Sequence, residues 1–285
     1  MARIAFIGLG AMGLPMAKRL CAAGHELRVA VHKNRTPAEE IAALGGSIAA
    51  NFTELVAGVE VIISIVPDDA QLSALFLTPE ILEAVAPGTL LIEMTTATPA
   101  MMRNIAAFLE PKGVDVLDAP VSGGIKGAAE GTLTIMCGGK RKSYERAMPL
   151  LEAMGQKIPL VGGVGAGKAL KAVNQLLVSV NTVVVAEALA LARKLDVDLE
   201  AMREVVATSS GYSTAFGNKF ESMTKGDYIP RFTTALMRKD IGIALAEGAD
   251  IALPLTVLAN HLYEMLGPDA DDLDYSVIAE LYKPR

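Results

Sequence analysis

The chain has 285 residues, with 26 basic and 32 acidic side chains and a formal net charge of −6. At 52% hydrophobic and 20% charged residues it can pack one large domain or two ordinary ones, which excludes disorder as its main state. The acidic balance and the lack of an extended basic tract argue against a nucleic-acid partner, while two cysteines (Cys21, Cys137) and three scattered histidines (His25, His32, His261) argue against a disulfide framework or a metal centre.

The first apolar run, residues 4–7, is too short for the core of a signal peptide and reads as a strand. Further short, β-branched runs at 27–31, 59–66, 90–94, 115–117 and 133–137 read as strands, and the stretches 12–23 and 38–44 as helices between the early ones. Strand–helix alternation at this spacing predicts right-handed crossovers and a mostly parallel sheet. The expectation for 1–162 is therefore a doubly wound α/β domain of the Rossmann type. From residue 163 the pattern changes. A stretch from 168 to 195 has neither proline nor glycine, is apolar almost all round, and as a helix spans roughly 40 Å. Such a helix is normally covered on most sides, at a domain interface or a subunit contact. Ser179, Asn181, Thr182 and Glu187 interrupt it, so it reads as a helix of a soluble protein rather than a membrane span. Helices follow at 199–207, 235–249 and 256–265, making 163–285 an all-helical domain, and 269–276 reads as a solvated acidic loop. No membrane partner is expected, and the cytoplasm is the expected location.

Gly8-Leu9-Gly10-Ala11-Met12-Gly13 follows the first strand and opens a helix. In that context Gly8 allows a tight turn, Gly10 the close approach of a pyrophosphate, and Gly13 the packing of helix on strand, with the helix N-terminus facing the phosphates. An NAD site usually carries an acid about 20 residues further on, for the ribose 2′-hydroxyl. Here the second strand ends in His32-Lys33-Asn34-Arg35 with no acid nearby. Lys33 and Arg35 suit a 2′-phosphate, so NADP is expected over NAD.

Three more segments carry chemistry. Asp118-Ala119-Pro120-Val121-Ser122-Gly123-Gly124 reads as a Gly-rich turn after a strand, whose N–H groups and Ser122 hydroxyl could cradle a carboxylate. Lys171-Ala172-Val173-Asn174-Gln175 opens the long helix, with Lys171 and Gln175 on one face. Lys239-Asp240 lies in an otherwise largely apolar helical stretch. With these segments in order, the whole chain resembles the β-hydroxyacid dehydrogenase family, which spans 3-hydroxyisobutyrate dehydrogenases and tartronate, glyoxylate and succinic semialdehyde reductases. Gly8 to Ala17 is similar to the family's opening fingerprint, and Val66-Pro67-Asp68-Asp69 and Glu93-Met94-Thr95-Thr96 to its cofactor loops. Asp118 to Gly124 is similar to its substrate motif, and Gly165-Ala166-Gly167 with Lys171 to its catalytic helix.

The resemblance implies an NAD(P)-dependent oxidoreductase that interconverts a small carboxylate-bearing aldehyde or keto acid and its hydroxy acid. Lys171 is implied as the general acid, and as the base in reverse. Ser122, Gly123, Gly124, Asn174, Gln175, Phe232 and Asp240 are implied on the substrate side. Gly8 to Gly13, His32 to Arg35, Val66, Pro67, Thr96 and Lys239 are implied on the cofactor side. One departure is Gln175, where the family most often has Asn. A free lysine titrates near 10.4, too high for exchange at neutral pH; burial and nearby positive charge, with Lys168 and Lys239 as candidates, would lower it. Related alternatives are a serine-type β-hydroxy amino acid dehydrogenase and an imine reductase, the latter disfavoured by Lys171. A non-catalytic NADPH-binding protein would have no use for Lys171, Ser122 and the glycine nest together. The apolar helix and the resemblance both imply a homo-oligomer, dimer or tetramer.

Overall fold

The apolar runs of the first 171 residues pair as strands whose two faces are both covered, which is why they read as unbroken hydrophobic segments rather than alternating ones. In the computed structural model, which describes residues 1–283, they are β1 (Arg3–Ile7), β2 (Glu26–Ala30), β3 (Ser47–Ala49), β4 (Val61–Ser64), β5 (Leu90–Glu93) and β6 (Asp115–Asp118). After these come β7 (Val121–Ser122), β8 (Leu133–Ile135), β9 (Cys137–Gly139), β10 (Gly155–Lys157) and β11 (Leu160–Gly162). The main sheet runs β11-β9-β6-β5-β4-β1-β2-β3, parallel except for the β6–β9 pair. One face buries Phe6, Met16, Leu20, Val29 and Ile63; the other buries Ile62, Leu72, Phe76, Leu91 and Ile105. Because β1 has β2 on one side and β4 on the other, the strand order reverses at β1/β4. In open α/β sheets such a reversal opens a crevice beyond the carboxyl ends of the strands, where ligands bind.

One expectation is corrected here. The run 133–137 is not a single strand: it breaks at Met136 into β8 and β9, which belong to different sheets. β8 joins β7 and β10 in a three-stranded sheet. The break follows from the partners on offer, since Met136 N–H donates to Pro120 and Cys137 N–H to Pro159. Continuous hydrophobicity over five residues carries no mark of that exchange. The turn expected at 118–124 is likewise partly regular, with Val121–Ser122 a short strand and Gly124–Glu130 a helix.

By contact the chain divides after Lys171. The long helix Ala166–Lys194 begins in the first unit and continues into the second, which also holds helices Leu199–Ala207, Thr214–Lys225, Thr234–Glu247 and Pro254–Met265 and the 3-10 segment Tyr275–Tyr282. Phe216, Phe220, Met237, Ile241 and Tyr263 pack with Val185 and Leu189 of the long helix. Helix Thr214–Lys225 escapes a reading by propensity because it contains Gly217 and several polar residues. It forms because Ser213 caps it, accepting from Phe216 N–H at 3.1 Å, and because Phe216, Phe220 and Met223 are buried. The acidic loop is also corrected. Asp274 is buried, and the Lys219 ammonium donates to its two oxygens at 2.8 and 2.9 Å while lying 4.3 Å above the Tyr275 ring.

The long helix is long and apolar enough to cross a membrane by length and composition, yet one face of it packs into the helical core. The opposite face is left uncovered by the described residues of the chain. Leu170, Leu177, Val184 and Leu191 recur at every seventh position, and all four are exposed.

Candidate functional site

The glycine loop shows which of its members serve the protein and which leave room for something else. A Cβ on Gly8 would lie 1.9 Å from the Ile65 carbonyl oxygen, and one on Gly13 would lie 1.8 Å from the Gly8 carbonyl oxygen. Those two are glycines because loop, strand end and helix touch backbone to backbone. A Cβ on Gly10 would meet nothing within 4 Å. Its bareness therefore serves no internal packing and leaves the helix N-terminus approachable from outside. Helix Gly13–Ala22 starts without a side-chain cap; Leu14 N–H turns back to Gly10 O at 3.0 Å and Pro15 has no N–H, so what the helix start offers that opening is chiefly the positive end of its dipole. Leu9, Ala11 and Met12 complete the loop, partly or fully exposed. These features fit a dinucleotide pyrophosphate.

The other loops expected to face a cofactor gather at the same strand ends. Val66 follows β4, and its side chain would touch a Cβ on Gly8 at 3.5 Å. Val66 N–H donates to Thr95 Oγ1 at 3.0 Å, so the loops after β4 and β5 are tied together. Asp69 accepts from both the N–H and the hydroxyl of Thr98, which ties them a second time. Pro67 is exposed and Thr96 half-buried on these loops. Beyond β2, His32, Lys33, Asn34 and Arg35 form an exposed turn, in which Asn34 Oδ1 accepts from Thr36 N–H and Arg35 pairs with Glu39 at 2.9 Å. That pair is solvent-exposed and so weak enough to exchange for another anion.

The segment of the first unit expected on the substrate side is built on β7. Ser122 pairs with Thr134 across the small sheet, then Gly123 and Gly124 take φ of +134° and +65°, values that favour glycine, with Gly124 the first residue of helix Gly124–Glu130. Gly124 is open on its outer side, whereas a Cβ on Gly123 would come within 3.0 Å of Leu133.

The largest group of buried charge lies at the head of the long helix. Asp118, at the end of β6, accepts from Gly165 N–H at 2.7 Å and Lys168 N–H at 3.0 Å. Burial pushes the Asp118 carboxyl up; the Lys168 charge and those two N–H bonds offset only part of that. The Lys168 ammonium is fully enclosed and donates to the Glu93 carboxylate, to Glu93 O at 3.0 Å and to Thr95 O at 2.5 Å. Glu93 Oε1 accepts from Thr95 N–H at 2.8 Å. Lys171 follows three residues on and is 7% exposed. In the sequence, Asp118 and Glu93 lie within motifs but carry no role of their own. Their signal lies in the glycines around them: a Cβ on Gly138 would come 2.6 Å from Asp118 Oδ1, and one on Gly167 would come 2.7 Å from Oδ2.

In the helical unit, Gln175 Nε2 donates to Asp240 Oδ2 at 2.7 Å, and Asn174 Nδ2 donates to Gln175 Oε1 at 2.9 Å. Lys239 lies 3.1 Å from Asp240 Oδ1. Three of the expected substrate-side residues are thus linked to one another, Gln175 by the amide that distinguishes it. Phe232 instead packs edge-on against Tyr275, with ring centroids 5.7 Å apart. Lys168 and Lys239, expected as sources of positive charge, both have carboxylate partners that offset it.

Residues 3–163 match the family model described as the NAD binding domain of 6-phosphogluconate dehydrogenase, and residues 165–282 the one described as NAD-binding of NADP-dependent 3-hydroxyisobutyrate dehydrogenase. The chain is 37% identical to an NAD-dependent L-serine dehydrogenase of Pseudomonas aeruginosa, over 100% of this chain and 99% of that one. It is 35% identical to the 2-hydroxy-3-oxopropionate reductase of Escherichia coli, over 98% and 96%. A solved structure of Mycobacterium tuberculosis 3-hydroxyisobutyrate dehydrogenase with L-serine superimposes at a TM-score of 0.91, with 35% identity and full coverage of both chains. The chain belongs to the β-hydroxyacid dehydrogenase family of NAD(P)-dependent oxidoreductases.

Proposed function

We propose that the protein is an NADP-preferring oxidoreductase that interconverts a small carboxylate-bearing aldehyde and its 3-hydroxy acid, with Lys171 as the acid–base group. The observation that carries this reading is the enclosure of Lys171 at the head of the long helix, beside the network that also anchors the Val66 and Thr95 loops. A bound nicotinamide supplies the hydride in reduction and accepts it in oxidation. Lys171 gives its Nζ proton to the carbonyl oxygen as charge develops there, and takes it back in the reverse direction. Ser122 and the N–H groups of Gly123 and Gly124 hold the substrate carboxylate. Gln175, with Asn174 and Asp240, orients the substrate hydroxyl, and Phe232 supplies apolar cover. Gly8 to Gly13, Val66, Pro67, Thr96 and Lys239 hold the cofactor, and His32, Lys33, Asn34 and Arg35 its adenosine end.

Lys33 and Arg35 support NADP, because the turn carries two exposed cations and Arg35 can leave its Glu39 pair for a 2′-phosphate. A serine-type β-hydroxy amino acid is the second substrate reading, favoured by the names of the Pseudomonas relative and of the Mycobacterium complex. Initial rates with NADPH and NADH decide among these. The panel is glyoxylate, tartronate semialdehyde, succinic semialdehyde and methylmalonate semialdehyde, with L-serine and 3-hydroxyisobutyrate in the oxidative direction. Turnover of at least one semialdehyde faster with NADPH, and loss of that preference in Lys33→Ala/Arg35→Ala, is expected. NADH preference in the unaltered enzyme would overturn the cofactor assignment, and turnover of L-serine alone would overturn the substrate.

The protein is further read as a cytoplasmic homo-oligomer. The row Leu170, Leu177, Val184 and Leu191 has the seven-residue step of a helix seam, and a second copy of the same helix is its natural cover. Sedimentation equilibrium should show at least a dimer, and a lone 30 kDa species would contradict it.

A further inference from the structure

Buried ion pairs are a poor way to gain stability, since apolar residues of similar volume often do as well or better. What a buried, fully bonded charge does provide is a single geometry. The head of the long helix has three such charges, and the Lys168 ammonium spends its N–H groups on three oxygens from two residues of the strand β5 and its following loop. Asp118 grips the same turn from β6 through the backbone N–H groups of Gly165 and Lys168. The pocket for that carboxylate exists only because Gly138 and Gly167 lack side chains. A slip of one residue in this helix moves a side chain about 1.5 Å along the axis and about 100° around it, so a grip on Lys168 defines where Lys171, less than one turn later, can point. The same network continues through Glu93 Oε1 to Thr95 N–H, and from Thr95 Oγ1 to Val66 N–H. One chain of buried and partly buried hydrogen bonds therefore runs from the loop beside Gly8 to the turn that bears Lys171.

We propose that Asp118 and the Glu93–Lys168 pair are positioning residues, which hold the Lys171 ammonium in register with the loops after β4 and β5. The proposal rests on the reading of Lys171 as the proton donor. None of the three touches the reacting atoms; they act through the helix. Misplacement of a reacting group by about 1 Å costs on the order of 100-fold in rate, which sets the scale of the expected effect.

The test compares Asp118→Asn, Lys168→Gln, the Glu93→Gln/Lys168→Gln double variant and the milder Glu93→Asp with the unaltered enzyme, with Lys171→Ala as control. Each is measured for melting temperature, for NADPH affinity by fluorescence, and for kcat and KM per folded enzyme on the best substrate of the panel. The expected result is a kcat about 10- to 100-fold lower in Asp118→Asn and Lys168→Gln, with NADPH affinity within about threefold of the unaltered enzyme. The double variant, which removes both buried charges together, should regain the melting temperature lost in Lys168→Gln without regaining kcat. Glu93→Asp, which keeps both charges, should retain the largest share of kcat. A purely structural role would lower melting temperatures and leave kcat of the folded enzyme unchanged throughout, and that result would overturn the proposal. If Asp118→Asn and Lys168→Gln do not fold, the double variant and Glu93→Asp decide on the same criterion. Activity retained in Lys171→Ala would instead remove the reading beneath the proposal, so the two failures are distinct.

Discussion

Asp118 in the first unit and Asp274 in the second are both buried carboxylates, both near a buried lysine, and both accept backbone N–H groups. Their charges fare differently. At Asp274 burial opposes ionisation, but direct bonds from the Lys219 ammonium, the Ser276 hydroxyl and Ser276 N–H outweigh it and hold the carboxyl below its usual range. At Asp118 the nearby ammonium of Lys168 is bonded to Glu93 and Thr95 instead, and burial prevails. Asp274 closes a network that ties Arg231 and Phe232 to the 3-10 segment; its own ionisation is favoured there, although burial pushes the Lys219 ammonium down. At Asp118 burial opposes ionisation, in the turn that carries the proposed proton donor. Similar burial can thus serve stability in one region and geometry in the other.

The largest expected effect that would break this comparison is on stability. Lys219→Met leaves Asp274 buried without its cation, and removal of one partner of a buried pair costs about 3–5 kcal/mol. Urea denaturation should show a loss of that size, and a cost below about 1 kcal/mol would deny the pair its role. Asp118→Asn should cost clearly less, because the charge it removes is already disfavoured in the fold.

A subtler effect sharpens the contrast by pH. Asp274 has a depressed carboxyl, so its stabilisation is present above about pH 4 and is lost as pH falls through its folded pKa. Asp118 has a raised one, so its unfavourable contribution is absent below about pH 4 and grows as pH rises through its folded pKa. The stability gap between the unaltered protein and Asp274→Asn should therefore shrink on acidification, while the gap to Asp118→Asn widens. Urea midpoints across pH 3 to 7 would measure both gaps, and slopes of the same sign would contradict the assignment.

Much of the architecture was legible in the residues because parallel strands covered on both faces read as apolar runs, and because the glycine loop sits where strand passes into helix. The long helix was legible from its lack of glycine and proline. The break at Met136 was not, since it depends on the distant carbonyls of Pro120 and Pro159. Helix Thr214–Lys225 was not, because tertiary burial of Phe216 and Phe220 overrides weak propensity. The charged groups were hardest to read. Asp274 looked like part of a solvated acidic run until Lys219, 55 positions away, was placed against it. Lys168 looked like a loose positive charge until Glu93 enclosed it. Spacing along the chain locates groups on one helix face, but it does not reveal partners brought from another strand.

Lys171 is proposed to move the proton when a hydride is exchanged. That role is tested most directly by single-turnover reduction of the preferred semialdehyde by bound NADPH, in the unaltered enzyme and in Lys171→Ala. A general acid of this kind contributes about 10²- to 10⁴-fold. A loss of that size is expected in the rate of NADPH oxidation, with NADPH binding and melting temperature essentially kept. A Lys171→Ala enzyme that oxidises NADPH within a few-fold of the original rate would contradict it.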